Sequence, residues 1–520
     1  MTKDGSASGA MTPGPVNGVR LLEPGPWIIV ALGLVFWGIF HTAGTFVPWQ
    51  ERISGVDPVG YYAWFRSLAF DHDLDFANDY GALNRAGHVP GDILVDALGP
   101  RTATRRLGNA FAMGPALLWT PFLLAGHLVA LLRNLPANGF SQPYVTSVYI
   151  ANMTYGIAGT VLVYYALRRW FSRSASTIAA IGAWTCSPML YYTYGQQAMS
   201  HAPSYCCVAL LLCVWAWLRD RDALWPWMAI GAAVGLATLV RWQNATFALI
   251  PAIDALGNPT RKGFFRATAS GFAALIVFVP QLIAWKILYG SFLTIPQGNA
   301  FMNWAHPRFL SLFFSRSHGL VTWTPLCGVG LAGMCLWRGL SRRVWTVTAL
   351  ALVAQLYVEA CAGNIGWSFG MRRLDNCVPF VAVGLASIMS LCRLRNRWAA
   401  PVVAWFAIWN TLFVLQYAGL LDKHYIENAI AALADKENIS PLALVQMTRL
   451  PSGAPFNPGE FISQNRFPRE GPPTLRQFTT DKWLVMKALR RALVAKLPHA
   501  PPANRTTIDA APRDARAADP

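Results

Sequence analysis

The sequence predicts an all-α polytopic membrane protein, a bundle of about eleven transmembrane helices with interfacial helices on its outer face. Three observations carry this. Hydrophobic residues make up 54% of the 520 positions and charged residues only 13%, about half the charged share of a soluble domain. Apolar runs near twenty residues recur from Trp27 onward, the length that crosses a ~30 Å hydrocarbon core. The basic excess, +18 from 43 Lys and Arg against 25 Asp and Glu, falls largely in short clusters between those runs. Length alone would permit two or three soluble domains. The composition excludes them, together with nucleic-acid-binding domains and disordered scaffolds. The nine cysteines lie in or beside apolar segments, where a thiol behaves as a small hydrophobe.

Residues 1–26 are rich in Gly, Pro and Ser with balanced charge and are expected to form a flexible cytoplasmic tail. Trp27 to Val47 is too long for a signal-peptide core and is read as an uncleaved first span. Further spans fall at 144–167, 176–193, 202–218, 225–241, 245–256, 267–288, 319–337, 344–362, 377–392 and 398–419. The 245–256 run is short and is expected to cross at an angle.

With the N-terminus inside, five basic loops share the cytoplasmic side: Arg168/Arg169/Arg173, Arg219/Arg221, Arg261/Lys262/Arg266, Arg338/Arg342/Arg343 and Arg393/Arg395/Arg397. This is the asymmetry of the positive-inside rule. Ala112 to Leu132 is also long enough to cross, but counting it would place all five clusters outside. The segment holds Gly114, Pro115, Pro121 and His127 and is expected to be an interfacial or re-entrant helix on the outer side.

The transmembrane domain therefore covers 27–420, including a long outer loop at 48–143. Residues 421–520 are expected outside the membrane, with the C-terminus extracytoplasmic. Within them 480–497 is a basic amphipathic segment, suited either to lying on the bilayer surface or to packing as a solvated helix. The Ala/Pro/Arg-rich end reads as disordered, and no internal repeat is apparent.

The polar residues outside the basic loops gather on the outer face. In SGVDPVGYYAWFRSLAFDHDLDFANDY (54–80), Asp57 follows the first span. Two readings stand for it: an N-cap with Pro58 at the first helical position, or a carboxylate placed to take a proton from an incoming hydroxyl. The acids Asp71, Asp73, Asp75 and Asp79 suit a hydrated turn or, by spacing, a divalent cation. No cofactor is expected, and no residue is assigned to a metal. TYGQQAMSHAPSY (193–205) places His201 at an outer interface, as a structural hydrogen-bonder or a substrate contact; Tyr191, Tyr192 and Tyr194 read as an aromatic belt. Arg241 ends the fifth span, either snorkelling or meeting an anion.

The outer loops 289–325 and 363–376 add Arg308, Arg316, His318, Arg372 and Arg373 beside Trp304, Trp323 and Trp367. A guanidinium pairs with phosphate oxygens in a fork. Arg372–Arg373 is thus the leading phosphate-binding pair, with pairing to the acidic loop as the alternative.

The stretches VDPVGYYAWFRSLAFDHDLDFANDY (56–80), GPALLWTPFLLAGH (114–127), MSHAPSY (199–205), SRSHGLVTWTP (315–325) and GWSFGMRRLDNCVPF (366–380), in this order and spacing, resemble the GT-C membrane glycosyltransferases. These are the superfamily of protein O-mannosyltransferases and lipid A aminoarabinose transferases. The resemblance covers about 27–420, not the C-terminal region.

It implies a GT-C-like bundle in the inner (cytoplasmic) membrane that transfers a sugar from a polyprenyl-phosphate donor to a hydroxyl of a lipid, glycan or protein. Transfer would occur at the outer face with inversion. Asp57 matches the family's general base; many relatives carry Asp-Glu where this chain has Asp57-Pro58. Arg372, Arg373 and Arg316 would bind donor phosphate, and His201, Arg241, His318 and Trp367 would contact substrate. A transporter or flippase of a lipid-linked substrate would share the arginines without a base, and a non-catalytic partner in envelope assembly would need neither.

Overall fold

The computed structural model describes residues 23–44, 53, 55–85, 102–196, 198–257, 259–315, 318–336, 340–363, 369–391 and 396–417. The tail at 1–22 and the whole of 421–520, with its amphipathic segment, lie outside the described residues. The described residues form helices and the turns between them. Among the described residues there is no β-strand, only an isolated antiparallel bridge between Met302 and Ala362. Among the described residues seven helices are long and apolar enough to cross a membrane, as expected of a multi-pass membrane protein.

Helix α1 (Pro24–Gly44) is the first span. Two short helices follow, α2 (Val56–Arg66) and α3 (Ala77–Arg85), joined by a π-helical turn at Ser67–Asp71. Next come α4 (Gly114–Leu132) and α5 (Gln142–Leu167). The expected single span at 176–193 is two helices, α6 (Arg173–Thr185) and α7 (Met189–Tyr194). Pro188 lacks the N–H that would continue the first. Helices α8 (His201–Leu218) and α9 (Trp225–Val240) are continuous.

The short run at 245–256 is part of a longer pair of elements. Trp242–Ala248 is a 3₁₀ helix of 7 residues and α10 (Leu249–Leu256) has 8. At ~2.0 Å per 3₁₀ residue and ~1.5 Å per α residue these cover roughly 26 Å. The 16 residues of α9 cover roughly 24 Å. Tighter winding gives a short sequence the reach of its neighbour.

Helix α11 (Arg261–Tyr289) is the longest at 29 residues, followed by the short α12 (Phe309–Phe314). The expected span at 319–337 is divided at Pro325 into α13 (Leu320–Trp323) and α14 (Pro325–Gly333). The series ends with α15 (Arg342–Cys361), a 3₁₀ turn (Arg372–Cys377) leading into α16 (Val378–Leu391), and α17 (Asn396–Tyr417).

Ion pairs between connections gather the basic clusters on one face. Glu23, at the start of α1, takes Arg168 at 2.9 Å and Arg173 at 3.3 Å, and Asp220 takes Arg169 at 2.9 Å. Asp222 takes Lys262 at 2.7 Å and Arg266 at 3.2 Å, and the buried Asp254 takes Arg219 at 2.6 Å and Arg343 at 2.7 Å. Arg338, Arg393 and Arg395 lie outside the described residues. At this basic face arginines meet acids from other connections and helix ends, which fixes the ends of α1, α5, α6, α8, α10, α11 and α15 relative to one another.

Helix α4 is itself long and apolar enough to cross, and its neighbours define its level. Its first residue, Gly114, packs on Leu239 and Val240 at the end of α9, away from the basic face. From there it runs antiparallel to the first half of α5. Tyr155 donates to the Leu118 carbonyl at 2.7 Å, Trp119 Nε1 to Asn152 Oδ1 at 3.1 Å, and His127 meets the Tyr144 hydroxyl at 2.6 Å. The helix thus climbs from the outer end of α9, and its apolar far side, with Leu124 and Leu132, is exposed.

Candidate active site

Opposite the basic face, residues from five separate stretches of chain converge. Helix α2 begins one residue before Asp57, at Val56. Its N-cap is Gly55, whose φ of 101° suits a residue without Cβ. Asp57 is therefore inside the first turn and makes no cap hydrogen bond, which corrects the capping reading. Its carboxylate Oδ2 instead accepts from Arg372 Nη1 at 3.0 Å, across 315 residues of sequence. The aspartate keeps 30% of its side-chain surface exposed and the arginine 17%, so the pair is open at the rim.

Arg373, the next residue, turns the other way. Its Nη1 lies 3.4 Å from Oε2 of Glu359 on α15, and its guanidinium sits 5.5 Å from the centroid of Phe301. Glu359 is buried and takes a second hydrogen bond from Gln355 Nε2 at 2.8 Å. Gln355 in turn accepts from Thr246 on the 3₁₀ segment.

Arg241 does not snorkel. It is buried, and its Nη1 is 3.1 Å from His201 Nδ1. His201, the first residue of α8, is packed against Tyr192 with ring centroids 4.1 Å apart, and its Nδ1 lies 3.0 Å from Oδ2 of Asp375. Behind this layer Ser200 donates to the Tyr61 hydroxyl at 2.8 Å, and Asn376 Nδ2 donates to Asn244 Oδ1 at 2.7 Å. Asn244 holds Ser204 Oγ and the Ala237 carbonyl, each at 2.9 Å, and so ties the unwound end of α9 to α8. Burial pushes the Tyr61 hydroxyl above its ordinary value, against the pull of Arg241, and keeps it protonated.

Three guanidiniums (Arg241, Arg372, Arg373) thus face three carboxylates (Asp57, Glu359, Asp375). Such balance is what a low-dielectric site requires, since an unpaired buried charge costs several kcal/mol. The site contains a fork for an anion and, beside it, a carboxylate able to accept a proton.

The remaining sequence candidates fall elsewhere. His318 is buried and stacked on Trp323, centroids 5.6 Å apart and planes at 5°; Trp323 then meets Phe369, which stacks on Tyr191. An aromatic chain thereby links His318 to the site. Tyr191, Tyr192 and Tyr194 are buried in this core, not arrayed as a belt. Arg308 binds the carbonyls of Ala362 and Gly363 and pins two loops together. Arg316 and Trp367 lie outside the described residues.

The acidic run makes local bonds. Asp71 takes Arg66 at 2.6 Å, Asp73 takes the Ser67 hydroxyl at 2.8 Å, and Asp75 takes the Ala77 amide at 3.2 Å. Among the described residues no group of three or more His, Cys, Asp or Glu side chains is placed to hold a metal ion.

Sequence reasoning missed Asp375 and Glu359. Each is an acid bordering or inside an apolar run, the costliest place for a charge and hence a signal of partnership.

Residues 139–285, which run from the start of α5 through most of α11 and include His201 and Arg241, match the family model of dolichyl-phosphate-mannose-protein mannosyltransferases. The match covers somewhat more than a quarter of the chain. Two solved structures are similar to it. One is ArnT from Cupriavidus metallidurans bound to undecaprenyl phosphate, at 15% identity, covering 90% of this chain and 78% of that one with a TM-score of 0.47. The other is the Archaeoglobus fulgidus oligosaccharyltransferase AglB in complex with an inhibitory peptide and a dolichol-phosphate, at 13% identity, covering 89% and 64% with a TM-score of 0.43. At these values neither likeness bears on the residues of the site. No curated protein matches the sequence.

Proposed function

We propose that the protein is a GT-C membrane glycosyltransferase that moves a sugar from a polyprenyl-phosphate donor to an acceptor hydroxyl, with inversion, at the outer face of the cytoplasmic membrane. The observation that carries the reading is the 3.0 Å contact between Asp57 and Arg372. It sets a proton acceptor directly beside an anion fork at the rim of a buried polar site. In this reading the basic face is cytoplasmic and the C-terminal region extracytoplasmic.

The donor phosphate competes with Asp57 for Arg372, and Arg241 approaches it from the histidine side. As Arg372 turns to the phosphate, the Asp57 carboxylate is released to accept the proton of the acceptor hydroxyl. The acceptor oxygen attacks the anomeric carbon from the face opposite the phosphate. The bond from that carbon to the phosphate oxygen breaks, the phosphate leaves with the electron pair, and the configuration inverts. Negative charge grows on the departing phosphate, where preorganised guanidiniums stabilise it.

The test is Asp57→Asn in vesicles supplied with polyprenyl-phosphate sugar. A fall in transfer of roughly 10²–10⁴-fold is expected for loss of a general base. Unchanged transfer removes Asp57 from that role, and absence of transfer by the unaltered protein with every donor offered removes the reaction itself.

A further inference from the structure

Asp375 has no part in the reaction proposed above, yet it is fully buried and neither of its carboxylate oxygens receives a hydrogen bond from the protein. A buried carboxylate left in that state is costly. His201 Nδ1 lies 3.0 Å from Oδ2, and the same Nδ1 is 3.1 Å from Arg241 Nη1.

One imidazole nitrogen cannot serve both neighbours at once, because it carries either a lone pair or a proton. With the lone pair it accepts from Arg241, and Asp375 goes without a donor. With the proton it donates to Asp375, and the bond from Arg241 Nη1 is lost. The imidazole is packed on the Tyr192 ring at 4.1 Å, and it must turn to bring an Nδ1–H onto Oδ2, which has no hydrogen-bond partner as the ring now lies.

We infer that Asp375 is a positioning residue which, by taking the Nδ1–H of His201, releases Arg241 to the phosphate of the lipid-linked donor. The inference rests on the phosphate reading of this site. An arriving phosphate draws the N–H groups of Arg241 and leaves Nδ1 without its donor. The neutral ring then places its single proton on Nδ1 instead of Nε2, and Asp375 gains the hydrogen bond it lacked. Phosphate, arginine, histidine and aspartate are all satisfied in the occupied state, whereas the empty state leaves Asp375 unsatisfied. Binding at one end is therefore coupled to relief at the other.

The experiment uses the full chain in lipid nanodiscs with undecaprenyl phosphate as the probe. It compares the unaltered protein with Asp375→Asn, His201→Asn and His201→Ala. Labelling histidine with ¹⁵N reports the tautomer, and the His201 signal is the one missing from both His201 variants. In the unaltered protein the probe is expected to move that signal from the Nε2–H to the Nδ1–H pattern, and in Asp375→Asn it stays put.

Affinity for the probe falls roughly 10-fold in Asp375→Asn, the scale of one hydrogen bond. This loss comes despite removal of a negative charge, which by electrostatics alone would tighten anion binding. His201→Ala shows a similar loss. His201→Asn, whose amide nitrogen stands where Nδ1–H would be, retains affinity within about 3-fold. Probe binding without a tautomer change in the unaltered protein, or a tautomer change that persists in Asp375→Asn, overturns the inference and leaves the phosphate site standing. Failure of the unaltered protein to bind the probe overturns both.

Discussion

Glu359 holds Arg373 away from Asp57. The two arginines are adjacent in sequence, yet one pairs with the aspartate of α2 at 3.0 Å and the other with the glutamate of α15 at 3.4 Å. A 3₁₀ turn at Arg372–Cys377 allows this divergence, because its three-residue period swings successive side chains about a third of a turn apart. Glu359→Gln keeps the shape and removes the charge, so Arg373 is left buried without its anion. Breaking one side of such a pair costs about 3–5 kcal/mol. The thermal midpoint of the purified protein is expected to drop by several degrees, and the double variant Glu359→Gln/Arg373→Gln recovers much of that loss. Additive single losses would show the pair to be uncoupled.

Arg372 is the point where charge and geometry separate experimentally. Arg372→Ala removes both, and initial rates are expected to fall by about 10²–10³-fold. Arg372→Lys restores a cation without the planar fork and is expected between the two. Equal rates for Lys and Arg would mean that charge alone suffices at this position.

The fold was legible in the sequence where physical chemistry is one-dimensional. Apolar run length located α1, α8, α9, α11 and α15 within a few residues, and charge clustering put the loops of Arg168, Arg219, Arg266 and Arg343 on one face, where shared acids bind them. Breaks inside the runs were not legible. Pro188 and Pro325 divide their helices, whereas Pro280 in α11 and Pro401 in α17 do not; the difference lies in what surrounds each proline. At the site, Asp57, Arg241, His201, Arg372 and Arg373 stand out because each is an ionisable group beside apolar sequence. Their pairing is a matter of three-dimensional approach, as 315 residues separate Asp57 from Arg372. The snorkelling and capping alternatives failed because partners arrived from distant chain.

Asp79 on α3 gives a stability that depends on pH. Burial, reinforced by Asp71 and opposed by Arg66, pushes its carboxyl from the ordinary 3.8 up to about 7. Neither of its oxygens has a hydrogen-bond partner, and Arg66 Nη1 stands off at 3.9 Å. Between those two values the folded state holds a proton that the unfolded chain has released, so stability falls as pH rises through the window. The midpoint of unfolding is expected to decline from pH 5 to pH 8 in the unaltered protein. Asp79→Asn, which cannot ionise, flattens that decline and is the more stable at pH 8. A slope unchanged by the substitution would assign the pH dependence to other groups.

Helices α14 and α16 run parallel in backbone contact, and the contact depends on glycine. A Cβ added to Gly384 would lie 1.8 Å from the Gly330 carbonyl oxygen and 3.0 Å from the Met334 amide nitrogen, and one added to Gly333 would lie 2.4 Å from the Gly384 carbonyl oxygen. Both obstacles at Gly384 are backbone atoms, so no rotamer change relieves them and the helices must separate. Between spans, where lipid is as apolar as the side chains, close packing of small residues is a principal source of association. Gly384→Ala is therefore expected to cost at least the 1–3 kcal/mol typical of overpacking, read as a lower thermal midpoint. Gly271→Ala on α11 is the matched control, since no heavy atom outside its own helix lies within 4 Å of a Cβ built there. Replacing a mid-helix glycine by alanine in open space favours the helix by roughly 0.5–1 kcal/mol, so the control should hold or raise the midpoint. Equal effects at the two positions would show that α14 and α16 are not in backbone contact.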